Sequence, residues 1–402
     1  RVSGRKAPDG MSTASLVSSL RLCAFAGNYS SLIIRSDMGF ISKTAAFMGM
    51  PALRNLVSDS IAIDMGSATT VISVRGRGLV VDQPSLVAVN NITGEVIAVG
   101  QEARQMYGRE ARDVTVVAPL VNGVVADFER TRTMLALFVR EARSGVSFFS
   151  RRALMSDDPV VTQVERRALL SAAEHARIGR VMMMEEGLAA AFGAGIKTND
   201  QQAAAVADLG SGTTNVAIVA NGAIIHGNSR RIGSGDINTA IINHIRRHRG
   251  LAIGPPSAEK IKLELGTATL PEDLALEMTV GGRDVLTGSP AAVTITAGEI
   301  YPIVQFVAGK ILEGVLSTLA ELPPEVAGDI YNRGIILTGG GALLNGLADY
   351  LREQSKLPVT VADEPTYAIV RGLEQMFDEP LLLRRVVRSE PLFDIESEAY
   401  SL

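Results

Sequence analysis

Two stretches of the chain share one alternation of apolar and polar positions. Ile61-Ala62-Ile63 and Ala205-Val206-Ala207 are short apolar runs, and each enters a turn of Asp, Gly, Ser and Thr. Each turn leaves through a second apolar run, Val71-Ile72-Ser73-Val74 in the first and Val216-Ala217-Ile218-Val219 in the second. Runs of this length bounded by turn residues predict strand, tight turn, strand. A third run, Gly334-Ile335-Ile336-Leu337, ends in Thr338-Gly339-Gly340-Gly341-Ala342-Leu343 and leads into Leu344 to Tyr350, which predicts a strand-to-helix turn. Between these signals, Pro255-Pro256-Ser257-Ala258-Glu259-Lys260-Ile261-Lys262 predicts a helix capped by Ser257, with Glu259 and Lys262 on one face.

Up to about Ser58 the pattern is different: Ser, Gly, Arg and apolar residues alternate without sustained period. Residues 1–57 therefore read as an extension, disordered over most of its length. Arg21 interrupts its one apolar stretch, which argues against a targeting peptide. Near its end Phe47, Met50, Leu53, Leu56 and Val57 recur at helical spacing beside Lys43 and Arg54, as a short membrane-surface helix requires, although Pro51 falls inside it. A leader packed loosely on the first domain accounts for the same residues.

The turn residues carry chemistry. Asp64-Met65-Gly66-Ser67-Ala68-Thr69-Thr70 matches Asp208-Leu209-Gly210-Ser211-Gly212-Thr213-Thr214, so one motif occurs twice in equivalent strand contexts. Glycine lets a backbone approach a ligand closely, and successive amides with Ser and Thr hydroxyls offer donors to phosphate oxygens. An aspartate at a strand end suits a hydrated magnesium ion, which keeps most of its waters. A single copy would be ordinary turn chemistry; two copies predict a polyphosphate gripped from both sides. The glycine cluster at Gly339–Leu343 adds amides at a helix start, where a phosphate or a flat ring can lie.

Composition narrows the class. A chain of 402 residues with 47% hydrophobic and 20% charged positions is long enough for two domains. Its 39 basic and 43 acidic residues give a formal charge of -4, so nucleic acid is not an expected partner. The single cysteine, Cys23, fits a reducing compartment, and the cytoplasm is expected. Asn122 and Asp127 break the most apolar stretch, so any membrane contact is expected to be peripheral.

The order of these signals, two phosphate hairpins with an intervening Glu-x-x-Lys helix and a late Gly-Gly-Gly turn, resembles the superfamily of actins, sugar kinases and heat-shock chaperones. Within it the chain is similar to the bacterial actins of the MreB type. Gln83-Pro84-Ser85-Leu86-Val87-Ala88-Val89, Gly123-Val124-Val125-Ala126-Asp127-Phe128, Val164-Glu165-Arg166-Arg167-Ala168 and Pro323-Pro324-Glu325 carry the likeness, which runs from about Ser58 to Phe377.

The resemblance implies an α/β fold of the actin-like ATPase type, with two pseudo-symmetric domains that each hold a smaller inserted subdomain. The first domain is expected over 58–199 (insert about 88–120) and the second over 200–370 (insert about 236–300). A helix over 371–384 is expected to return to the first domain, followed by a tail over 385–402. It implies that Gly66, Ser67, Ala68, Thr69 and Thr70 with Gly210, Ser211, Gly212, Thr213 and Thr214 hold the phosphates of ATP. Asp64 and Asp208 would support Mg2+ through water. Glu259, Lys260, Ile261 and Lys262 would lie at the ribose, and Gly339, Gly340, Gly341, Ala342 and Leu343 at the adenosine.

Glu165 is the residue the resemblance assigns to positioning the attacking water; a cap on the start of a surface helix is the other reading of the same residue. Val146, Phe148 and Phe149, between Arg140, Arg143, Arg151 and Arg152, match the place where the family inserts an apolar loop into the membrane. The alternative for those phenylalanines is burial in the core.

Several positions depart from the family pattern. Asp157-Asp158-Pro159-Val160-Val161-Thr162 stands for Val-Pro-x-Gly-x-Thr, Glu185-Glu186-Gly187 for Glu-Glu-Pro, Ser211 for Gly, Asn215 for Glu, and Gly233-Ser234-Gly235 for Gly-Gly-Asp. Two added aspartates would repel a terminal phosphate unless they point away or meet the metal. Binding is expected to survive these changes better than fast hydrolysis. The function implied is a membrane-associated, filament-forming actin on the inner face of the cytoplasmic membrane, acting with cell-wall elongation proteins on cell shape, and a slow ATPase. A sugar or acetate-type kinase on the same fold is the alternative, although no sugar-binding cluster accompanies the hairpins.

Overall fold

The computed structural model describes residues 59–143, 150–176 and 178–387. The expected helix near 47–57, the membrane loop at Val146, Phe148 and Phe149, and the tail from 388 onward lie outside the described residues.

The first half opens with β1 (Asp59–Met65), β2 (Thr69–Val74) and β3 (Gly78–Pro84). An insert follows, with β4 (Val87–Asn90), β5 (Val96–Val99), α1 (Gly100–Met106) and β6 (Val114–Val117). A tight hairpin, β7 (Leu120–Val121) and β8 (Val124–Val125), leads to α2 (Phe128–Ala142), β9 (Ser150–Asp157), α3 (Gln163–His175) and β10 (Val181–Glu185). The linking helix α4 (Glu186–Gly193) then enters the second half: β11 (Ala204–Leu209), β12 (Thr214–Ala220) and β13 (Ala223–Arg230). Its insert comprises α5 (Ser234–Arg249), β14 (Leu251–Ala252), α6 (Pro255–Leu265), β15 (Glu277–Asp284) and β16 (Pro290–Thr296). The chain continues through α7 (Ala297–Leu319), α8 (Pro324–Arg333), β17 (Ile335–Thr338), α9 (Leu347–Ser355) and β18 (Val359–Val361), then α10 (Ala368–Gln375) and α11 (Pro380–Val386).

The duplication heard in the hairpins extends to topology. One sheet runs β10-β9-β1-β2-β3 and the other β18-β17-β11-β12-β13, each with an antiparallel hairpin joined to parallel neighbours. Because side chains alternate across a strand, each sheet feeds two cores. Ile61, Ile63 and Met65 face an outer core with α2 and α3, while Ala62 faces inward. Ala205, Ala207 and Leu209 face the outer core of the second half, while Ala204 and Val206 face inward. The inner core between the sheets holds α4 and α10, so the layers run helix, sheet, helix pair, sheet, helix.

Helix starts follow local rules. Asp127 accepts the amide of Arg130 at the start of α2, Thr162 and Glu165 form a reciprocal capping box on α3, and Thr296 accepts the amide of Glu299 on α7. The 23-residue α7 is apolar enough by composition to cross a membrane. Here its Ile300, Val304, Val307, Ile311 and Val315 are buried in the second outer core.

Two helical expectations change. The helix predicted from Leu344 begins at Leu347, because Gly340–Leu343 forms a 3-10 turn and Gly346 takes a left-handed φ of 70°. The single helix expected over 371–384 is two, α10 and α11, with Pro380 at the first turn of the second.

The halves are joined where α4 crosses α10. A Cβ at Gly193 would stand 1.7 Å from the carbonyl oxygen of Ala368, and one at Gly372 would stand 1.9 Å from that of Ala189. Backbone touches backbone, so no side chain can turn aside to make room. Gly193→Ala is expected to destabilise the protein by about 3 kcal/mol or more, at the upper end of overpacking costs. Chemical denaturation is the measurement, and a midpoint equal to that of the unaltered protein would refute the contact.

Candidate nucleotide site

The two hairpin turns are built alike. Gly66 N donates to Thr69 O at 2.9 Å, and Gly210 N donates to Thr213 O at 2.9 Å. At the base of each, a hydroxyl from the neighbouring parallel strand holds the aspartate: Ser156 Oγ on Asp64 Oδ1 at 2.9 Å, and Thr338 Oγ1 on Asp208 Oδ1 at 2.8 Å. Thr338 was part of the recognisable glycine cluster. Ser156 gives no sequence signal beyond its place at a strand end.

The hairpin β7–β8 stands between the turns. Gly123 N donates to Ser67 Oγ at 2.9 Å, and Gly212 approaches Asn122 so closely that a Cβ would lie 2.6 Å from the Asn122 Cα. Asn122 itself has φ 50°, a conformation asparagine tolerates. Both turns thus meet one short hairpin, although Asn122 and Gly123 entered the sequence reading only as a break in an apolar stretch and as part of a likeness.

Other predicted residues divide by role. Thr70 Oγ1 is paired with Ser85 Oγ at 2.9 Å and Thr214 Oγ1 donates to Ile232 O at 2.8 Å, so these buried hydroxyls brace the turns instead of facing a ligand. The first amides of α5 are also engaged: Ser234 N on Gly210 O and Gly235 N on Ser211 O. Glu259 accepts from Lys262 Nζ at 2.8 Å and from Asn238 Nδ2 at 2.5 Å, and Lys262 reaches Ser234 O at 3.4 Å. Burial works against the Glu259 charge, but these bonds, with the Lys262 and Arg104 charges, hold its pKa low. Arg104 belongs to the insert of the first half, and Gly108 nearby faces the Pro256 ring across the same gap. Ile261, in contrast, is buried in the second core, and Lys260 pairs outward with Glu264 at 3.7 Å. In the glycine cluster, Gly339 and Gly341 press on the Leu209 backbone, Ala342 is core, and Gly340 and Leu343 face open space.

Glu165 sits at the rim. Its Oε2 accepts from Thr162 N at 2.7 Å and Thr162 Oγ1 at 2.8 Å, and the amide bond is the main reason its pKa is lowered. Asp157 turns away from the cleft to Arg166, whose Nε lies 2.9 and 3.1 Å from its two oxygens.

The floor is anionic. Burial, and then the Asp208 charge, pushes the Asp64 carboxyl up to about 7; burial pushes Asp208 up to about 6. Burial also raises Glu186 well above the usual carboxylate range, reinforced by Asp158, Asp64 and Asp208. Such a group of carboxylates is completed by a cation. Among the described residues no three His, Cys, Asp or Glu side chains stand close enough to hold an ion directly. The carboxylate chemistry of Asp64 and Asp208 is of a kind that suits a divalent cation.

A sheet duplicated in strand order, with glycine hairpins brought face to face, is the construction of the actin-like ATPases, and solved structures of that class superpose on this chain. MreB 5 of Spiroplasma citri bound to AMPPNP does so with a TM-score of 0.76 and 31% identity, covering 82% of this chain and 98% of that one. The MamK double helical filament shares the fold, at a TM-score of 0.66 and 19% identity, covering 80% and 99%. The chain belongs to the MreB/Mbl family: the model described as MreB/Mbl protein matches residues 58–384. The cell shape-determining protein MreB of Escherichia coli (strain K12) is 39% identical over 325 residues, 79% of this chain and 93% of that protein. The cell shape-determining protein Mbl of Bacillus subtilis (strain 168) is 37% identical over 318 residues, 79% and 95% respectively. It is a bacterial actin, and the kinase alternative is not favoured.

Because folding raises the pKa of Asp64 and Asp208, the folded protein free of nucleotide and metal holds their protons more tightly than the unfolded chain. Their contribution to stability is fully present below the ordinary value of 3.8 and is lost as pH rises through about 6 and about 7. The thermal midpoint of that form is expected to fall between about pH 4 and pH 7, and more shallowly in Asp64→Asn. Equal slopes in the two proteins would show that the cluster is not the cause.

Proposed function

We propose that this bacterial actin binds ATP with Mg2+ between its two hairpins and assembles, while nucleotide is bound, into filaments on the inner face of the cytoplasmic membrane. There it organises cell shape and cell-wall synthesis together with cell-wall elongation proteins. The observation that carries the reading is the pair of contacts Ser67–Gly123 and Gly212–Asn122, which turn both hairpins toward one space. The related Spiroplasma citri protein was solved with AMPPNP and with ADP, and the MreB and Mbl relatives are cell shape-determining proteins.

In this reading the amides of Gly66–Thr69 and Gly210–Thr213 take the phosphates, and Asp64 and Asp208 orient the waters of the metal. Glu259 and Lys262 lie at the ribose, with the open surface at Gly340 and Leu343 against the base. Glu165, fixed by its capping box, supplies an oriented carboxylate at the cleft rim, and hydrolysis is slow. Phosphoryl transfer needs mainly positioning and charge stabilisation, which these groups can supply. Val146, Phe148 and Phe149 in their arginine collar are the proposed membrane contact, since aromatic tips enter the acyl boundary and arginines meet anionic head groups. ATP acts as a switch because the closed cleft, bridged near Arg104 and Glu259, is the form that stacks.

Sedimentation and electron microscopy with ATP, ADP or no nucleotide, each with and without anionic liposomes, test this. Filaments are expected with ATP, and co-sedimentation with liposomes should be lost in Phe148→Ser/Phe149→Ser. No assembly under any condition, together with sugar-dependent consumption of ATP, would sink the reading.

A further inference from the structure

The end of the second sheet away from the hairpin turns holds a groove that the nucleotide site does not use. β17 and β18 run parallel, and β17 ends at Thr338 beside Asp208, so the first residues of both strands lie at the far end. There Tyr331 of α8, Arg352 of α9, Lys356 just after it, and Leu357, Pro358 and Thr360 leading into β18 line part of a cavity of about 720 Å³. The lining carries two cations and no acid. Arg352 is paired with Asp349 and donates from Nη2 to Val359 O at 2.6 Å. Lys356 is exposed and, among the described residues, has no ion pair. Tyr331 is 69% exposed beside them.

One side of the groove is a strand edge. β18 ends the order of its sheet among the described residues, and it is bonded inward through Pro358 O and Ala362 N. Val359 and Val361, at the alternate positions, therefore turn their backbone outward. An open edge is a template for another strand. With an apolar floor and cations beside it, this edge suits an extended segment in which acidic and apolar residues alternate.

The chain carries such a segment close by. The likeness to the MreB/Mbl family ends at residue 384, and residues 388–402, outside the described residues, follow it. They include Leu392-Phe393-Asp394-Ile395-Glu396-Ser397-Glu398, in which apolar and acidic positions alternate from Phe393 to Glu396. Their one cation, Arg388, stands against Glu390, Asp394, Glu396 and Glu398. The helix that leads into them, α11, is tied to the same end of the sheet. Arg385 Nη2 donates to Asn221 O at 2.7 Å, Asn221 N donates to Asp200 O at 2.6 Å, and Asp200 Oδ2 accepts from Arg333 Nη1 at 2.7 Å. Arg333 closes α8 in the same turn as Tyr331. An extended chain covers about 3.3 Å per residue, so residues 388–402 can reach about 50 Å, longer than a path of three such contacts.

We propose that residues 392–398 dock along β18 in the groove of their own chain, giving Phe393 and Ile395 to the floor of Tyr331, Leu357 and Pro358 and their carboxylates to Lys356 and Arg352. The docking covers a strand edge that would otherwise be open to other chains, and it does not depend on nucleotide.

The chain has no tryptophan, so Phe393→Trp in the full chain provides a single reporter. Its quenching by acrylamide is expected to be at least about three-fold weaker than in a synthetic peptide of residues 388–402 with the same tryptophan, because a docked ring loses most of its contact with solvent. Lys356→Glu is expected to raise the quenching toward that of the peptide. Adding Asp394→Lys and Glu396→Lys is expected to lower it again, a reciprocity that a general loss of structure would not produce. High salt, which screens exposed charge pairs, is expected to act as Lys356→Glu does and serves in its place if that variant does not fold. Quenching equal to the peptide's in the protein with its groove unaltered overturns the inference, as does protection that neither Lys356→Glu nor salt changes. Protection that fades on dilution places the segment in the groove of a second copy and overturns it as well.

Discussion

The crossing of α4 and α10 fixes the distance on which everything at the cleft depends. Each sheet presents its hairpin from one end, and the inner core between the sheets is built on this pair of helices and the apolar faces around them. Gly193 and Gly372 allow the helices to meet at backbone distance. Any larger residue would spread the sheets at this layer and carry Gly212 of the second half away from Asn122 of the first. A close-packed crossing transmits small displacements because interiors are dense and cannot absorb them. It is also the natural pivot for opening, since the chain passes between the halves at α4 and returns at α10. Contacts across the cleft lie elsewhere: Glu259 facing Arg104 from the two inserts, and the second turn against β7–β8.

The anionic floor opposes the same closure. Asp64 and Asp208 come from separate halves: burial and then the Asp208 charge raise Asp64, burial and then the Asp158 charge raise Asp208, and burial with all three charges raises Glu186. Bringing the sheets together without a cation gathers like charges in a buried place, which is unfavourable unless some are protonated. In the proposed reading a hydrated divalent ion with a polyphosphate reverses the sign of that term, so that closure and ligand are coupled through charge as well as through contact.

Much of this arrangement was legible because its carriers are periodic or repeated. The alternation around Ile61–Met65 and Ala205–Leu209 gave strands, and the repeated Asp-x-Gly-Ser-x-Thr-Thr turn gave their equivalence before any fold was known. What stayed hidden depends on partners distant in sequence. Nothing near Gly193 or Gly372 marks them as a helix crossing, since the atoms they spare belong to Ala368 and Ala189. Thr70 and Thr214 carry the same side chain as their exposed neighbours, and only Ser85 and Ile232, brought in by the sheet and the α5 start, reveal that they brace the turn. Ile261 illustrates the limit of a motif read as a block: helical spacing puts Glu259 and Lys262 on the cleft face and sends Ile261 to the core.

The departures from the family pattern fall on side chains, whereas the grip falls on backbone. Gly66, Gly210 and the amides that follow them offer donors whatever side chain is attached, so Ser211 in place of glycine leaves the second turn with the same Gly210–Thr213 bond as the first. The β9–α3 turn and the inward position of β12 work instead through side chains, with Ser229 donating to Asp158 and Asn215 to Glu186, so what those positions hold depends on the residue present.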